Sequence, residues 1–271
     1  MAESGLQILV SAVNKDTGRL PGIMKLESDA VIVNQLIGDE APAGLEEGDS
    51  SFPYGKYNVK VITMRAKGVG LSRNTALENA DHELVQFGDD DIVYSQGYAA
   101  KIVSEFEKHP EADVLLFNVK QQEGRETYHN TDYKRVSWYN YGRYPAYAIC
   151  ARRRKLVGSG VRYSLLFGGG APYMNGEDSL FLHDCLKAGL RIYGTDVVIG
   201  EETAGESTWF KGYTDKFFFD RGVLYHFLYG SMAPVWGLRF LFKNRKEMCR
   251  DKGLGACYKL LRDGIKHGRT L

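Results

Sequence analysis

The chain has few of the features that would assign it at once. Its four cysteines, Cys150, Cys185, Cys249 and Cys257, stand in no CxxC or other metal-ligand spacing. The apolar run at residues 6–13 is too short for a signal-peptide core and has no basic region before it. No stretch approaches the roughly 18–20 apolar residues of a transmembrane helix. A reduced, cytoplasmic protein is expected. There is no P-loop, no GxSxG and no HExxH, which removes the commonest sequence signals for nucleotide hydrolysis, serine esterase chemistry and zinc peptidase chemistry. Internal repeats and low-complexity segments are also lacking.

What is present is ordinary in bulk and uneven in detail. The 271 residues, 44% hydrophobic and 25% charged, suit one large α/β domain or one domain with an appendage. Aromatic side chains are plentiful, with 17 Tyr and 13 Phe. The net charge of +1 hides an asymmetry. Residues 236–271 hold ten Lys/Arg against three Asp/Glu, and the remainder carries a net of −6. The tail is expected to meet something more acidic than the body does.

Apolar runs rich in β-branched residues predict strands at Leu6–Val13, Asp29–Gln35, Lys56–Met64, Leu84–Phe87, Asp113–Val119, Tyr147–Ala151 and Arg191–Ile199. Helical spacing predicts Leu71–Ala80, Tyr98–Lys108, Glu177–Ala188 and Tyr213–Tyr229. Leu20–Ser28 is short for a crossover helix. Ile37–Tyr54, rich in Gly, Pro and acid, reads as a loop, and Gln121–Tyr147 as hairpins. Strands alternating with helices imply a mostly parallel central sheet flanked by helices. The expected division is a body at 1–232, itself parting near residue 120, and a tail beyond it. A basic amphipathic helical tail occupies 233–271.

Two acidic motifs carry chemistry. Asp89-Asp90-Asp91 follows the apolar run Leu84, Val85, Phe87. Three adjacent like charges at a strand end call for a partner, and a divalent cation is one; an acidic turn is the plainer alternative. If the segment stays extended, Asp89 and Asp91 point the same way and can share a ligand. Asn175-Gly176-Glu177-Asp178 follows Gly168-Gly169-Gly170 at the start of a predicted helix. An acidic pair there suits the helix dipole, and equally a carboxylate set beside a substrate hydroxyl as general base.

Taken in order, these motifs resemble family 2 glycosyltransferases. Gly70-Leu-Ser-Arg73-Asn74-Thr-Ala76 looks like the family's helix entry, Asp89-Asp90-Asp91 like its DxD strand end, and Glu177-Asp178 like its ED motif. The resemblance spans about residues 6–210 and implies a GT-A fold, with a catalytic domain at 1–232 whose nucleotide-binding part runs to about 120 and whose acceptor-binding part covers about 121–232. It also implies an inverting transfer of a hexose, glucose or galactose type, from a UDP-sugar to a hydroxyl of a glycan or lipid-linked glycan. Asp178 would be the general base. Asp89 and Asp91 would hold Mn²⁺ or Mg²⁺, with His226 a candidate third ligand. Asn14, Asn34, Arg73, Asp89 and Asp90 would contact the nucleotide. Asn34 stands where the family carries an acid; its amide can still bond a uracil edge. Trp209 is a candidate sugar-stacking ring, and the glycine loop and Tyr173 would line the acceptor side.

Two other functions compete. Gly68-Val-Gly70 opens a predicted helix after a strand, which invites a dinucleotide-dependent oxidoreductase, but Arg73 stands where that fingerprint needs its third glycine. A nucleotide-sugar-binding protein without turnover is the other. In the tail, Leu254, Tyr258, Leu261 and Ile265 recur at helical spacing beside Lys252, Lys259, Arg262 and Lys266. Such a stripe either lies on an anionic membrane surface or packs back onto the domain. The first would make the protein peripheral on the inner face of the cell membrane, building surface polysaccharide. Nucleic acid is not expected as a partner.

Overall fold

The computed structural model describes residues 5–38, 45–124, 126–203 and 212–271. In chain order the elements begin β1 (Leu6–Val13), α1 (Leu20–Ile23), β2 (Asp29–Gln35), β3 (Gly48–Tyr54), β4 (Tyr57–Met64), α2 (Val69–Glu78) and β5 (Leu84–Asp89). They continue with β6 (Ile92–Tyr94), α3 (Tyr98–Lys108), β7 (Val114–Lys120), β8 (Lys134–Arg135), β9 (Ile149–Arg152) and α4 (Arg153–Gly158). The last are α5 (Glu177–Lys187), β10 (Ile192–Glu202), α6 (Asp215–Tyr229), α7 (Ala233–Met248) and α8 (Leu254–Gly268).

One sheet orders its strands β3-β4-β2-β1-β5-β9-β7-β10-β6, with β8 paired to β10. The block β4-β2-β1-β5 is parallel. Its central strands are apolar almost without alternation because helices and loops cover both faces; Ile8, Leu9, Val31, Ile32, Val85 and Phe87 are all buried. Between β5 and β7 lies β9, antiparallel to both, so the sheet is mixed rather than uniformly parallel. Parallel strands need crossovers, and these leave the carboxyl ends of β1, β2 and β5 together at one edge of the sheet.

Two sequence expectations are corrected. Part of the loop expected at 37–54 is β3, an exposed antiparallel edge strand on β4. It was hidden because Gly48 and Pro53 break any apolar alternation, which an edge strand tolerates. The hairpins expected over 121–147 reduce to the two residues of β8 among the described residues. That segment is instead held by long-range side-chain bonds, such as Asn118 to the Asn130 backbone and Tyr144 Oη to Asn130 Oδ1 at 2.8 Å.

The tail packs on α6. Leu261 and Ile265 of α8 are buried, so the stripe expected to choose between membrane and domain turns inward. The approach is close enough that a Cβ on Gly264 would overlap the Phe219 carbonyl oxygen, and one on Gly222 the Leu261 carbonyl oxygen. Among the described residues no helix is long and apolar enough to cross a membrane.

A candidate active-site cleft at the strand ends

A cleft of about 480 Å³ opens at the carboxyl edge of the sheet. One wall is the end of β1 and β2, with Val13, Gln35 and Ile37. The floor is Arg73 and the aspartate triplet. The far wall is Glu177 and Asp178 at the start of α5, with Gly169 and Gly170 above α2 and Tyr147 and Glu202 opposite. The two acidic motifs, far apart in sequence, therefore face one space.

Arg73 joins them. It sits in the first half of α2 and is almost wholly buried. Its Nη1 donates to Asp178 Oδ1 at 2.7 Å and lies 3.6 Å from Glu177 Oε1, while Nη2 donates to Asp89 Oδ1 at 3.0 Å. The guanidinium lies over the Tyr163 ring, centroid at 5.0 Å, and that ring stacks on Phe181 of α5 at 4.1 Å and meets Phe87 of β5 edge-on. Thus α2, β5 and α5, which carry Arg73, Asp89 and Asp178, rest on one aromatic cluster. The next residue fixes the loop between them: Asn74 Nδ2 donates to the Tyr163 carbonyl at 2.9 Å and its Oδ1 accepts from the Tyr163 N–H at 2.8 Å. Burial opposes the Arg73 charge, yet its carboxylate neighbours hold its pKa well above the ordinary value.

At Asp178 burial prevails over the attraction of its partner. Burial, reinforced by Glu177 and Asp89, raises its pKa to about 7, against the attraction of Arg73 and a hydrogen bond from the Ala146 backbone. A carboxylate near neutral pKa at the edge of a cleft is suited to accept a proton.

The triplet divides its labour. β5 ends at Asp89, and Asp90 and Asp91 form a turn into β6, so the extended alternation that would let Asp89 and Asp91 share a ligand does not hold. Asp89 is held by Arg73. Asp90 lies 3.3 Å from Lys15 Nζ and accepts from the Val13 N–H, and burial raises its pKa. Around Asp91, burial, then Asp89, Asp90 and Glu202, raise its pKa to about 7. Its backbone carbonyl accepts from Thr203 N at 2.8 Å, which ties the end of β10 to the turn. Among the described residues six carboxylates line the cleft. Such a surface repels a diphosphate unless a cation intervenes, and Asp91 beside Glu202 is where one fits the charge. No group of three or more His, Cys, Asp or Glu is preassembled for a metal among the described residues.

Other expected site residues lie elsewhere. The Asn14 amide is consumed by the Ile37 backbone, donating to its carbonyl and accepting from its N–H, both at 2.9 Å. Asn34 is fully buried and bonds both backbone groups of Lys15, so its amide is not free for a base edge. Strand alternation puts Gln35 on the cleft instead. His226 is not a cleft residue: its ring packs on Gly268 of α8, where a Cβ would come within 2.9 Å of the His226 Cβ. Tyr173 turns to α8, its hydroxyl 2.7 Å from His267 Nε2, while Gly169 and Gly170 do line the cleft. Trp209 lies outside the described residues. Lys15, Gln35, Tyr147 and Glu202 were missed; only Lys15, beside the β1 terminus, left a local signal.

The dinucleotide alternative fails locally. The start of α2 is closed by backbone, Val69 N donating to the Gly169 carbonyl at 2.8 Å, and a Cβ on Gly170 would meet Gly68 N at 2.9 Å.

Residues 36–160 match the family described as Glycosyl transferase family 2, a span that includes Arg73 and the triplet but not Asp178. No curated protein matches the chain. Among solved structures, S. aureus TarS 1-349 in complex with UDP-GlcNAc is similar at 18% identity and TM-score 0.61, covering 91% of this chain and 74% of that one. The same protein in complex with UDP gives 17% identity and TM-score 0.58, over 91% and 73%. Full TarS gives 15% identity and TM-score 0.56, over 92% and 44%. With that family match and a mixed sheet of the GT-A type, the chain is a glycosyltransferase.

Proposed function

We propose that the cleft transfers a hexose, of the glucose or galactose type, from a UDP-sugar to a hydroxyl, with inversion. The observation that carries this is the single buried guanidinium bonded to Asp178 on one wall and Asp89 on the other. It sets a carboxylate base and an acidic nucleotide end within one guanidinium of each other. The fold likeness to TarS bound to UDP-GlcNAc and to UDP supports a uridine nucleotide donor.

In this reading residues 1–120 hold the nucleotide and 121–232 the acceptor. Val13, Gln35 and Ile37 flank the nucleobase, and Arg73 and Lys15 balance negative charge at the diphosphate end. Asp178 takes the proton of the acceptor hydroxyl as its oxygen bonds to the anomeric carbon. The bond from that carbon to the diphosphate oxygen breaks on the opposite face, and UDP leaves with the electron pair. Asp91, with Glu202 beside it, would hold Mn²⁺ or Mg²⁺, which when bound offsets charge growing on the leaving group. A raised pKa lets Asp178 receive the proton near neutral pH. The acceptor is a growing glycan on a membrane lipid carrier, which suits the basic tail.

The test is a panel of UDP-hexoses, N-acetylated ones included, with acceptor glycans, and UDP release as readout. Asp178→Asn is expected to lower turnover by about 10²–10⁴-fold while UDP still binds. Full turnover in Asp178→Asn would remove the base assignment.

A further inference from the structure

The inward turn of α8 leaves a different apolar surface exposed among the described residues. On α7, Val235, Leu238 and Phe242 are exposed, Val235 by 58% and Phe242 by 57%. Their i, i+3, i+7 spacing places them along one side of the helix. Met232 precedes them, and Trp236 is exposed beside them. The surface continues off the helix: Trp236 stacks on Tyr229 at 5.4 Å, Tyr229 is hydrogen-bonded to Tyr141, and Tyr141 meets Trp138 edge-on at 6.2 Å. Trp138 is half exposed and Tyr139 is 96% exposed.

Charge on this stretch is mostly basic. Arg239, Lys243, Arg245, Lys246 and, just past the helix, Arg250 are exposed, against Asp251 and Glu247, the latter hydrogen-bonded to Tyr213. Arg239 lies over Trp236 and Arg245 over Phe242, at 5.3 and 4.3 Å from the ring centroids. The long stems thus lie against the aromatics with their charges at the edge. A protein partner with a dry apolar patch would not need five cations around it. An anionic bilayer takes both: acyl chains receive the apolar side chains, headgroups receive the cations, and Trp and Tyr favour the boundary.

We propose that the outer face of α7, continued by Trp138 and Tyr139, is a docking surface for a bilayer of anionic phospholipid. The proposal rests on the membrane-borne acceptor only for its purpose. Trp138 also packs on His183 of α5, ring centroids 5.3 Å apart, and α5 begins with the Asp178 wall of the cleft. Docking on this face would hold that wall near a lipid-linked hydroxyl.

The experiment is co-sedimentation of the full chain with vesicles of phosphatidylcholine alone and of phosphatidylcholine mixed with phosphatidylglycerol. Binding is expected to the mixed vesicles and to weaken with salt. Phe242→Glu and Val235→Glu should each lower partitioning about tenfold or more. Lys243→Glu should lower it by about fivefold or more, while Lys101→Glu on α3 should leave it unchanged. UDP titration of the Phe242→Glu and Val235→Glu chains should match the parent, which shows them folded. Parent chain that sediments no more with mixed vesicles than without them overturns the proposal. So does equal binding by Phe242→Glu, or a self-associated parent that Phe242→Glu converts to monomer without any vesicle binding. Failure of the parent to bind UDP would strike the donor assignment and leave the vesicle result standing.

Discussion

Replacing Arg73 by Met tests how the cleft is held together. The guanidinium is 4% exposed and makes its bonds to Asp178 and Asp89 at 2.7 and 3.0 Å, with Glu177 at 3.6 Å. Methionine matches much of the stem but leaves three carboxylates facing one another. Removing one partner of a buried ion pair costs about 3–5 kcal/mol. For a chain of this length each kcal/mol lowers Tm by roughly 2–4 °C, so a fall of about 6–20 °C is expected. The fall should depend on pH, and its sign follows from Asp178. That group's pKa is already raised to about 7, and the Arg73 charge is the strongest influence opposing the rise. Without Arg73 it rises further. A carboxyl with a raised folded pKa stabilises while protonated and loses that contribution as pH climbs through the folded value. The Arg73→Met deficit should therefore be larger at pH 8.5 than at pH 6. Arg73→Lys should fall between, because one ammonium cannot reach both Asp89 and Asp178. Scanning calorimetry of the three proteins at the two pH values is the assay. A Tm loss under about 2 °C, or one equal at both pH values, would refute the reasoning.

Asp91→Asn should stabilise the metal-free protein at pH 8. Its pKa is raised from 3.8 to about 7 by burial and like charges, but the side chain opens to solvent, so screening reduces the gain to about 1–2 kcal/mol. The gain should shrink as pH falls from 8 through 7 toward 4, in urea titrations. Gly264→Ala should cost about 1–3 kcal/mol or more, since its methyl meets the Phe219 carbonyl; an unchanged Tm would mean that α6 and α8 are not so closely packed.

Much of the frame was legible because it rests on local pattern. β2 and α3 lie where apolar runs and helical spacing put them, and the antiparallel β9 falls within two residues of an expected strand. What escaped depends on distant groups. Edge strand β3 takes its bonds from β4, and segment 121–147 takes its shape from Asn118, Asn130 and Tyr144. The same limit applies in the cleft. Arg73 and the two acidic motifs could be singled out, but not the bond between them. Asn34 and Gln35 are neighbours in sequence on opposite faces of one strand, and only the fold shows which amide lines the cleft. Likewise a basic apolar tail was readable, while the burial of the α8 stripe and the exposure of the α7 face follow from helix packing.

The most direct test of the donor site is a calorimetric titration of UDP into the protein with and without Mn²⁺, repeated on Asp91→Ala. Manganese-dependent UDP binding that disappears in Asp91→Ala is the predicted result. UDP binding that ignores both the ion and the substitution, or none under either condition, would contradict a metal-assisted uridine nucleotide site at the aspartate turn.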